Sequence, residues 1–312
     1  MPNYGVIDLG SNTIRLVIFE VKDDAKPAYA GGDFRSLLND KVMAGLSAHV
    51  HDGVFSEGGV RRAASVVRGH LKRARYFNCK RIDVFATAVI RNALNCADAC
   101  AAIEEATGAP LVLLSARDEA HLGFVGATCD RTVERGTLID IGGGSTELTR
   151  IEDGCDFDHA SVGMGSLSSY ANQVASILPT AAEMESIAQA LQAHIEALPH
   201  PEAYRTNRLY GIGGSVRAAA KLLAQASGTG IRPKTMTAAE IRAILEWCRT
   251  DPDSFAHCAL KASAERIHTL VPGCAIASAL MDGLGADVLE ICKYGLREGY
   301  LIERMLGENR LR

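Results

Sequence analysis

At 312 residues the chain is longer than one hydrophobic core usually supports, so two domains or one large α/β domain are expected. Hydrophobic residues make up 47% and charged ones 22%, and no tract approaches the roughly 20 apolar residues that span a bilayer, so a membrane partner is not expected. The net charge of −4 argues against indiscriminate nucleic-acid binding.

The opening MPNYGVIDLG lacks a basic segment followed by an apolar one and a cleavage site, so no secretory signal is expected and the cytoplasm is the expected compartment. Residues 4–10 and 13–21 read as two strands of a hairpin around Gly10-Ser11-Asn12. The first strand ends on Asp8, and a carboxylate at the end of a buried strand costs free energy unless something pairs with it. A less regular stretch follows to about residue 55, then a helix from Glu57 to Phe77. Between Arg61 and Arg81 lie eight Lys or Arg and no acidic residue, which reads either as a solvated helix face or as an attractor for a polyanion.

A strand over 81–87 leads through TAVIRNALN into an alanine-rich helix ending near Thr107, and 109–115 reads as a short buried strand. In LLSARDEAHLGF the next helix begins near Ala116. Ser115 and Asp118 match a capping pair, which leaves Glu119 free to point elsewhere. The opening pattern then returns in RGTLIDIGGGSTELTRIEDG (135–154), where Leu138-Ile139-Asp140-Ile141-Gly142 lines up with Val6-Ile7-Asp8-Leu9-Gly10. After it come a strand over 155–163 and helices. NRLYGIGGSVRAAAKLL (207–223) reads as strand, glycine turn and helix, followed by a strand near 287–291 and a last helix near 297–309. The nine cysteines are scattered without a CxxC pair and read as reduced structural thiols. Cys96 and Cys100 share a helix face, but a metal there would need two further ligands.

Strands alternating with helices imply α/β architecture, and the repeat implies two similar halves facing a central cleft, with a boundary near 122. The three turns LGSN, IGGGST and IGGS let successive backbone N–H groups converge on one oxyanion, because glycine tolerates positive φ and has no side chain. Ser11, Ser145 and Ser215 add hydroxyl donors, and the helix after the third turn directs its N-terminal N–H groups at the same kind of ligand. Asp8 and Asp140 read as ligands of a phosphate-bound Mg²⁺, with Glu147 as a further carboxylate. The alternative is that each aspartate caps its own turn.

Together these stretches resemble the exopolyphosphatase/guanosine pentaphosphate phosphohydrolase family, a branch of the actin-like ATPase and sugar-kinase superfamily. The resemblance runs through VIDLGSNTIRLVIFE, FATAVIRNALN, LSARDEAHLGF, LIDIGGGSTELTRIEDG, SVGMGSL, LYGIGGSVRAAAKL and YGLREGYLIERM. It implies two actin-like (ribonuclease H-like) α/β domains, 1–122 and 123–296, with a C-terminal helix 297–312 packing on the first. It also implies a general base at Glu119 and Mg²⁺ (or Mn²⁺) and phosphate around Asp140 and Glu147. Phosphate contacts are implied for Ser11, Asn12, Arg91, Gly143, Gly144 and Ser145, and the third turn, Gly213-Gly214-Ser215, contacts phosphate where kinase relatives bind nucleotide.

The departures from the family pattern are Ala116 and Asp118 ahead of the base, Lys41 and Met43 within NDKVMAGL, and His268 where an aspartate is common. The chain ends soon after YGLREGY, as the short forms of the family do, which predicts a weaker grip on very long polymers. The activity expected is removal of terminal orthophosphate from inorganic polyphosphate, with Arg68, Lys72 and Arg75 as a polymer track and a homodimer as the assembly. The alternatives are guanosine pentaphosphate hydrolysis and a non-catalytic nucleotide-binding regulatory protein.

Overall fold

The repeat that the motifs suggest is a repeat of whole sheets. The computed structural model describes residues 1–22 and 29–307, and the chain divides into two compact units, Met1–Thr132 with Tyr294–Arg312, and Val133–Lys293. The division falls beyond 122 because the helix that begins at Ala116 continues to Thr128.

In the first unit β1 (Asn3–Leu9), β2 (Thr13–Val21) and β3 (Phe34–Met43) form an antiparallel meander, followed by a small hairpin of β4 (Val50–His51) and β5 (Val54–Phe55). Helix α1 (Glu57–Tyr76) crosses to β6 (Cys79–Ala86), and α2 (Ala88–Arg91) and α3 (Cys96–Thr107) lead to β7 (Leu111–Leu113) and α4 (Ala116–Thr128). The sheet order is β3-β2-β1-β6-β7, with β6 and β7 parallel to β1. The short glycine turn permits only an antiparallel pair, whereas the helical crossovers return the chain in parallel. Central β1 is buried on both faces, hence its nearly unbroken apolar run. Ile7 and Leu9 face a core closed by Val67, Leu71 and Ile103, while Tyr4 and Val6 face the other side. Strand β3 falls in the stretch expected to be less regular. As an edge strand it leaves Arg35, Ser36 and Leu37 exposed, so it carries little hydrophobic signal.

The second unit repeats the plan. Its strands are β8 (Gly136–Ile141), β9 (Thr146–Glu152), β10 (Cys155–Val162), β11 (Arg208–Ile212), β12 (Thr235–Thr237) and β13 (Val288–Ile291). The order β10-β9-β8-β11-β13 repeats that of the first sheet, and β12, too short to read from sequence, adds an edge. Between them run α5 (Ser166–Gln173), α6 (Ala181–Glu196), α7 (Gly213–Ala226), α8 (Ala238–Thr250), α9 (Pro252–Ser263) and α10 (Ile267–Leu284). The helical stretch Pro252–Leu284 contains a window long and apolar enough to cross a bilayer, which the composition did not suggest. That window is 78% buried inside the protein, and α10 is apolar all round because it is a core helix.

The chain then returns to the first unit as α11 (Leu296–Tyr300) and a π-helical stretch Leu301–Gly307. The expected last helix to 309, and its extension to 312, lie partly outside the described residues. Tyr300 stacks on Phe85 with ring centroids 4.8 Å apart, and Leu301, Met305 and Leu306 cover Tyr4 and Val6. Helices α11 and α4 meet backbone to backbone. A Cβ on Gly299 would lie 1.8 Å from the Leu122 carbonyl oxygen, and one on Gly126 would lie 2.0 Å from that of Gly295.

Gly299→Ala is therefore expected to destabilise the first unit by about 1–3 kcal/mol or more, since a backbone carbonyl cannot move aside as a side chain can. Gly69→Ala, in the middle of α1 with Arg73 Nη1 no nearer than 3.6 Å, is expected to stabilise by about 0.5–1 kcal/mol. Urea unfolding of both variants beside the parent chain checks both signs.

Candidate active site

In the first unit the glycine turn is tied down by its carbonyls. Ser11 O accepts from Ser47 N at 2.9 Å, Asn12 O accepts from Ala44 N and Gly45 N at 3.0 Å, and Leu9 O accepts from Thr87 N and Thr87 Oγ1 at 3.3 Å. Among the described residues no acceptor takes the N–H of Ser11 or Asn12, so both are open to an outside acceptor.

Asp8, expected as a metal ligand, is instead paired within the protein: Arg297 Nη1 donates to its Oδ2 at 2.6 Å, with both side chains largely buried. This is the partner that a buried carboxylate requires.

Helix α4 carries the expected base. Ser115 caps it, accepting from Asp118 N at 3.0 Å, and the Asp118 carboxylate accepts from Ser115 N and Oγ. Glu119, the next residue, turns away from the cap. Its Oε2 accepts from Arg91 Nη1 at 2.7 Å, and the same Nη1 donates to Leu114 O at 3.1 Å. The pair is mostly buried, at 15% and 12% side-chain exposure, so the two residues form one prepared unit. The remaining N–H groups of the Arg91 fork have no described protein acceptor, which suits an arginine that clamps a phosphoryl group.

In the second unit the glycine turn of residues 142–145 is held from below. Ser166 N donates to Gly142 O at 2.9 Å, and Leu167 N and Ser168 N both donate to Gly143 O at 2.9 Å. Among the described residues the N–H groups of Gly143 and Gly144 have no acceptor. Asp140 and Glu147 are direct cross-strand partners, so they share a face of the sheet beside the turn. Glu147 is buried and its Oε1 accepts from Ser145 Oγ at 2.5 Å and Ser161 Oγ at 3.2 Å. Two adjacent hard-oxygen carboxylates beside a glycine turn with open N–H groups fit Mg²⁺, which takes one or two protein carboxylates and completes its shell from phosphate and water. Among the described residues no group of three or more His, Cys, Asp or Glu is assembled to hold a metal by itself.

The third turn is not a free loop, because α7 begins at Gly213 immediately after β11. Gly213 has φ +86°, and a Cβ there would lie 2.1 Å from Asp140 Oδ1. No other residue fits under that carboxylate. Two of the expected hydroxyl donors are already engaged: Ser215 Oγ donates to Ile141 O at 3.0 Å, and Ser145 Oγ to Glu147. A hydroxyl has a single proton, so what Ser145 offers an anion is its backbone N–H. Gly214 lies under the Arg266 guanidinium, whose Nη2 would be 2.0 Å from a Cβ. That arginine was not among the sequence-derived site residues, and its signal was its place beside the atypical His268. The His268 ring packs edge-on against Tyr170 at 5.1 Å, and burial lowers its pKa, with Arg266 adding to the effect.

Arg68, Lys72 and Arg75 lie along the solvent face of α1 at helical spacing. The basic run around them is partly structural: Arg68 donates to Ala106 O in the last turn of α3, Arg62 to Met43 O, Arg73 pairs with Asp40, and Arg81 grips Asp83 with two N–H groups. Lys72 and Arg75 are exposed and make no described contact.

The sequence model of the Ppx/GppA phosphatase family matches residues 28–308. Exopolyphosphatase 1 of Mycobacterium tuberculosis is 26% identical over 97% of this chain and 88% of its own length. The Mycobacterium leprae exopolyphosphatase 1 is 25% identical over 97% and 90%. Among solved structures, the Ppx/GppA family member of Aquifex aeolicus superposes with a TM-score of 0.78 at 20% identity, covering 99% of both chains. An exopolyphosphatase of Cytophaga hutchinsonii gives 0.80 at 18%, covering 98% of both. At these identities the structures share the fold.

The Ser115 hydroxyl bond lowers the Asp118 pKa most, against burial, and Ser115 N, Arg304 and His121 reinforce it. The stability Asp118 contributes is therefore complete above the ordinary value of 3.8 and is lost as pH falls through its lower folded value. Asp118→Asn is expected to flatten that part of the acid-unfolding curve, followed by circular dichroism from about pH 5 to 2.

Proposed function

The chain belongs to the Ppx/GppA phosphatase family, and on that premise we propose that it is an exopolyphosphatase, releasing terminal orthophosphate from inorganic polyphosphate. The observation that supports the reading is the buried Arg91–Glu119 pair at 2.7 Å, which joins the end of α2 to the first turn of α4 and suits a base beside a phosphoryl clamp.

Hydrolysis of a phosphoanhydride needs a positioned water, charge neutralisation on the terminal phosphoryl group and a leaving phosphate. Glu119 orients the water and takes its proton as the oxygen attacks phosphorus in line, while the bridging P–O bond breaks toward the shortened polymer. Arg91 binds phosphoryl oxygens through the N–H groups not engaged with Glu119 and Leu114. Within the first unit the N–H groups of Ser11 and Asn12 serve as phosphate donors; within the second, taken by itself, those of Gly143, Gly144 and Ser145 do so, with the N-terminus of α7 at Gly213 and Gly214. Asp140 and Glu147 would hold Mg²⁺ or Mn²⁺, which supplies positive charge against the phosphoryl oxygens when bound.

The exposed face of α1 is the proposed polymer track. Lys72→Ala with Arg75→Ala is expected to raise KM for long polyphosphate while leaving triphosphate unaffected, and to make long-chain binding less salt-dependent, by analogy with counterion release. Equal effects on short and long chains would return α1 to a solvated face.

The primary test is free phosphate release, with Mg²⁺, from short polyphosphate, long polyphosphate and guanosine pentaphosphate in parallel. Glu119→Gln is expected to reduce turnover by about 10²–10⁴-fold with substrate binding nearly intact. Faster release from guanosine pentaphosphate than from any polyphosphate would replace the substrate, and release from none would end the enzyme reading.

A further inference from the structure

Asp8 ends a row on β1, Tyr4-Val6-Asp8, whose first two members are covered by Tyr300, Leu301, Met305 and Leu306 of the C-terminal return. The third is covered by Arg297 from the same segment, one helical turn before Tyr300. Phe85 lies directly beside Asp8 across the parallel β1–β6 pair, and Tyr300 stacks on it, so the Arg297 backbone is fixed by an aromatic contact on the same neighbour. Tyr300 Oη also donates to Asp83 at 3.2 Å, and the backbone contacts of Gly299 and Gly295 with α4 hold the helix from the other side. Across the antiparallel pair, opposite Asp8, stands Arg15, whose Nη1 reaches Asn39 Oδ1 at 3.3 Å.

The position matters because Leu9-Gly10-Ser11-Asn12, the first anion-binding turn, starts at the next residue. A bare carboxylate at its root would repel a polyanion brought to the N–H groups of Ser11 and Asn12, and burial would strengthen the repulsion. We propose that Arg297 is a positioning residue for phosphate binding: by neutralising Asp8, it lets the first turn accept a polyanion. The pair gives the turn a neutral floor, and Asp8 serves as the anchor of Arg297. This rests on the phosphate-binding reading above and adds a residue from the far end of the chain to it.

A double-mutant cycle tests it. Binding of tripolyphosphate is measured by calorimetry in EDTA, where turnover and metal ligation play no part, for the parent, Arg297→Gln, Asp8→Asn and the double variant. Arg297→Gln is expected to lose at least about tenfold in affinity, because it uncovers the carboxylate, and the double variant to recover to within about threefold of the parent. Asp8→Asn, which leaves a cation under the turn, is expected to bind at least as tightly as the parent, and Arg297→Lys to keep most of the affinity.

If Arg297→Gln proves too unstable to purify, the Asp8→Asn and double-variant arms still decide. Loss of tripolyphosphate binding in both would overturn the proposal, as would a double variant no better than Arg297→Gln. With Mg²⁺ present, the same substitutions are expected to move KM for short polyphosphate far more than kcat. Absence of hydrolysis by the parent would count against the proposed function alone, since the EDTA cycle reads the role of Arg297 without it.

Discussion

A carboxylate at the end of a buried central strand must be satisfied, and much of this structure follows from meeting that requirement twice. The duplicated motif places Asp8 at the end of β1 and Asp140 at the end of β8, each immediately before a glycine turn. The first is met by a cation, Arg297, carried back from the end of the chain. The second stands beside Glu147 and over the backbone of Gly213, where a side chain has no room. At the first strand end a cation from the same unit faces the carboxylate, whereas at the second two carboxylates, Asp140 and Glu147, stand side by side. The repeated pattern supports two electrostatic solutions because the cation that meets Asp8 lies 289 residues away in sequence.

That distance also marks what could be read in advance. The strands, the long helix α1, the repeat and the capping of α4 were legible because each is set by local pattern: apolar periodicity, a Ser-x-x-Asp box, glycine at a turn. Elimination showed only that Glu119 was free of the cap, since Asp118 was committed to it; its role as a base came from the family resemblance. Strand β3 was not, because an edge strand with polar outward residues looks like a loop. Nor were Arg297 and Arg266, which are ordinary arginines in sequence and acquire meaning only when the fold sets them against Asp8 and Gly214. The serines show the same limit. A hydroxyl beside a glycine turn suggests an anion contact, but Ser145 and Ser215 give their protons to Glu147 and to a strand carbonyl.

The basic stretch of α1 is a lesson in partition. Its charges were countable but their employment was not: Arg68 closes the C-terminal end of α3, where a cation also opposes the helix dipole, and Arg73 meets Asp40 beside the buried His70. What remains for a ligand is a narrower set than the composition implied, centred on Lys72 and Arg75.

The return of residues 294–307 to the first unit has a further consequence for the order of synthesis. The second unit is continuous in sequence, Val133–Lys293, and its core is complete once those residues have been made. The first unit begins earlier yet finishes later. Until Tyr300, Leu301, Met305 and Leu306 emerge, the apolar sheet face of Tyr4, Val6, Val17 and Phe19 is only partly covered, by earlier residues such as Leu114 and Leu122. On the ribosome the half that starts first is therefore the last to be completed, and its open face is where a nascent chain of this architecture would need a chaperone.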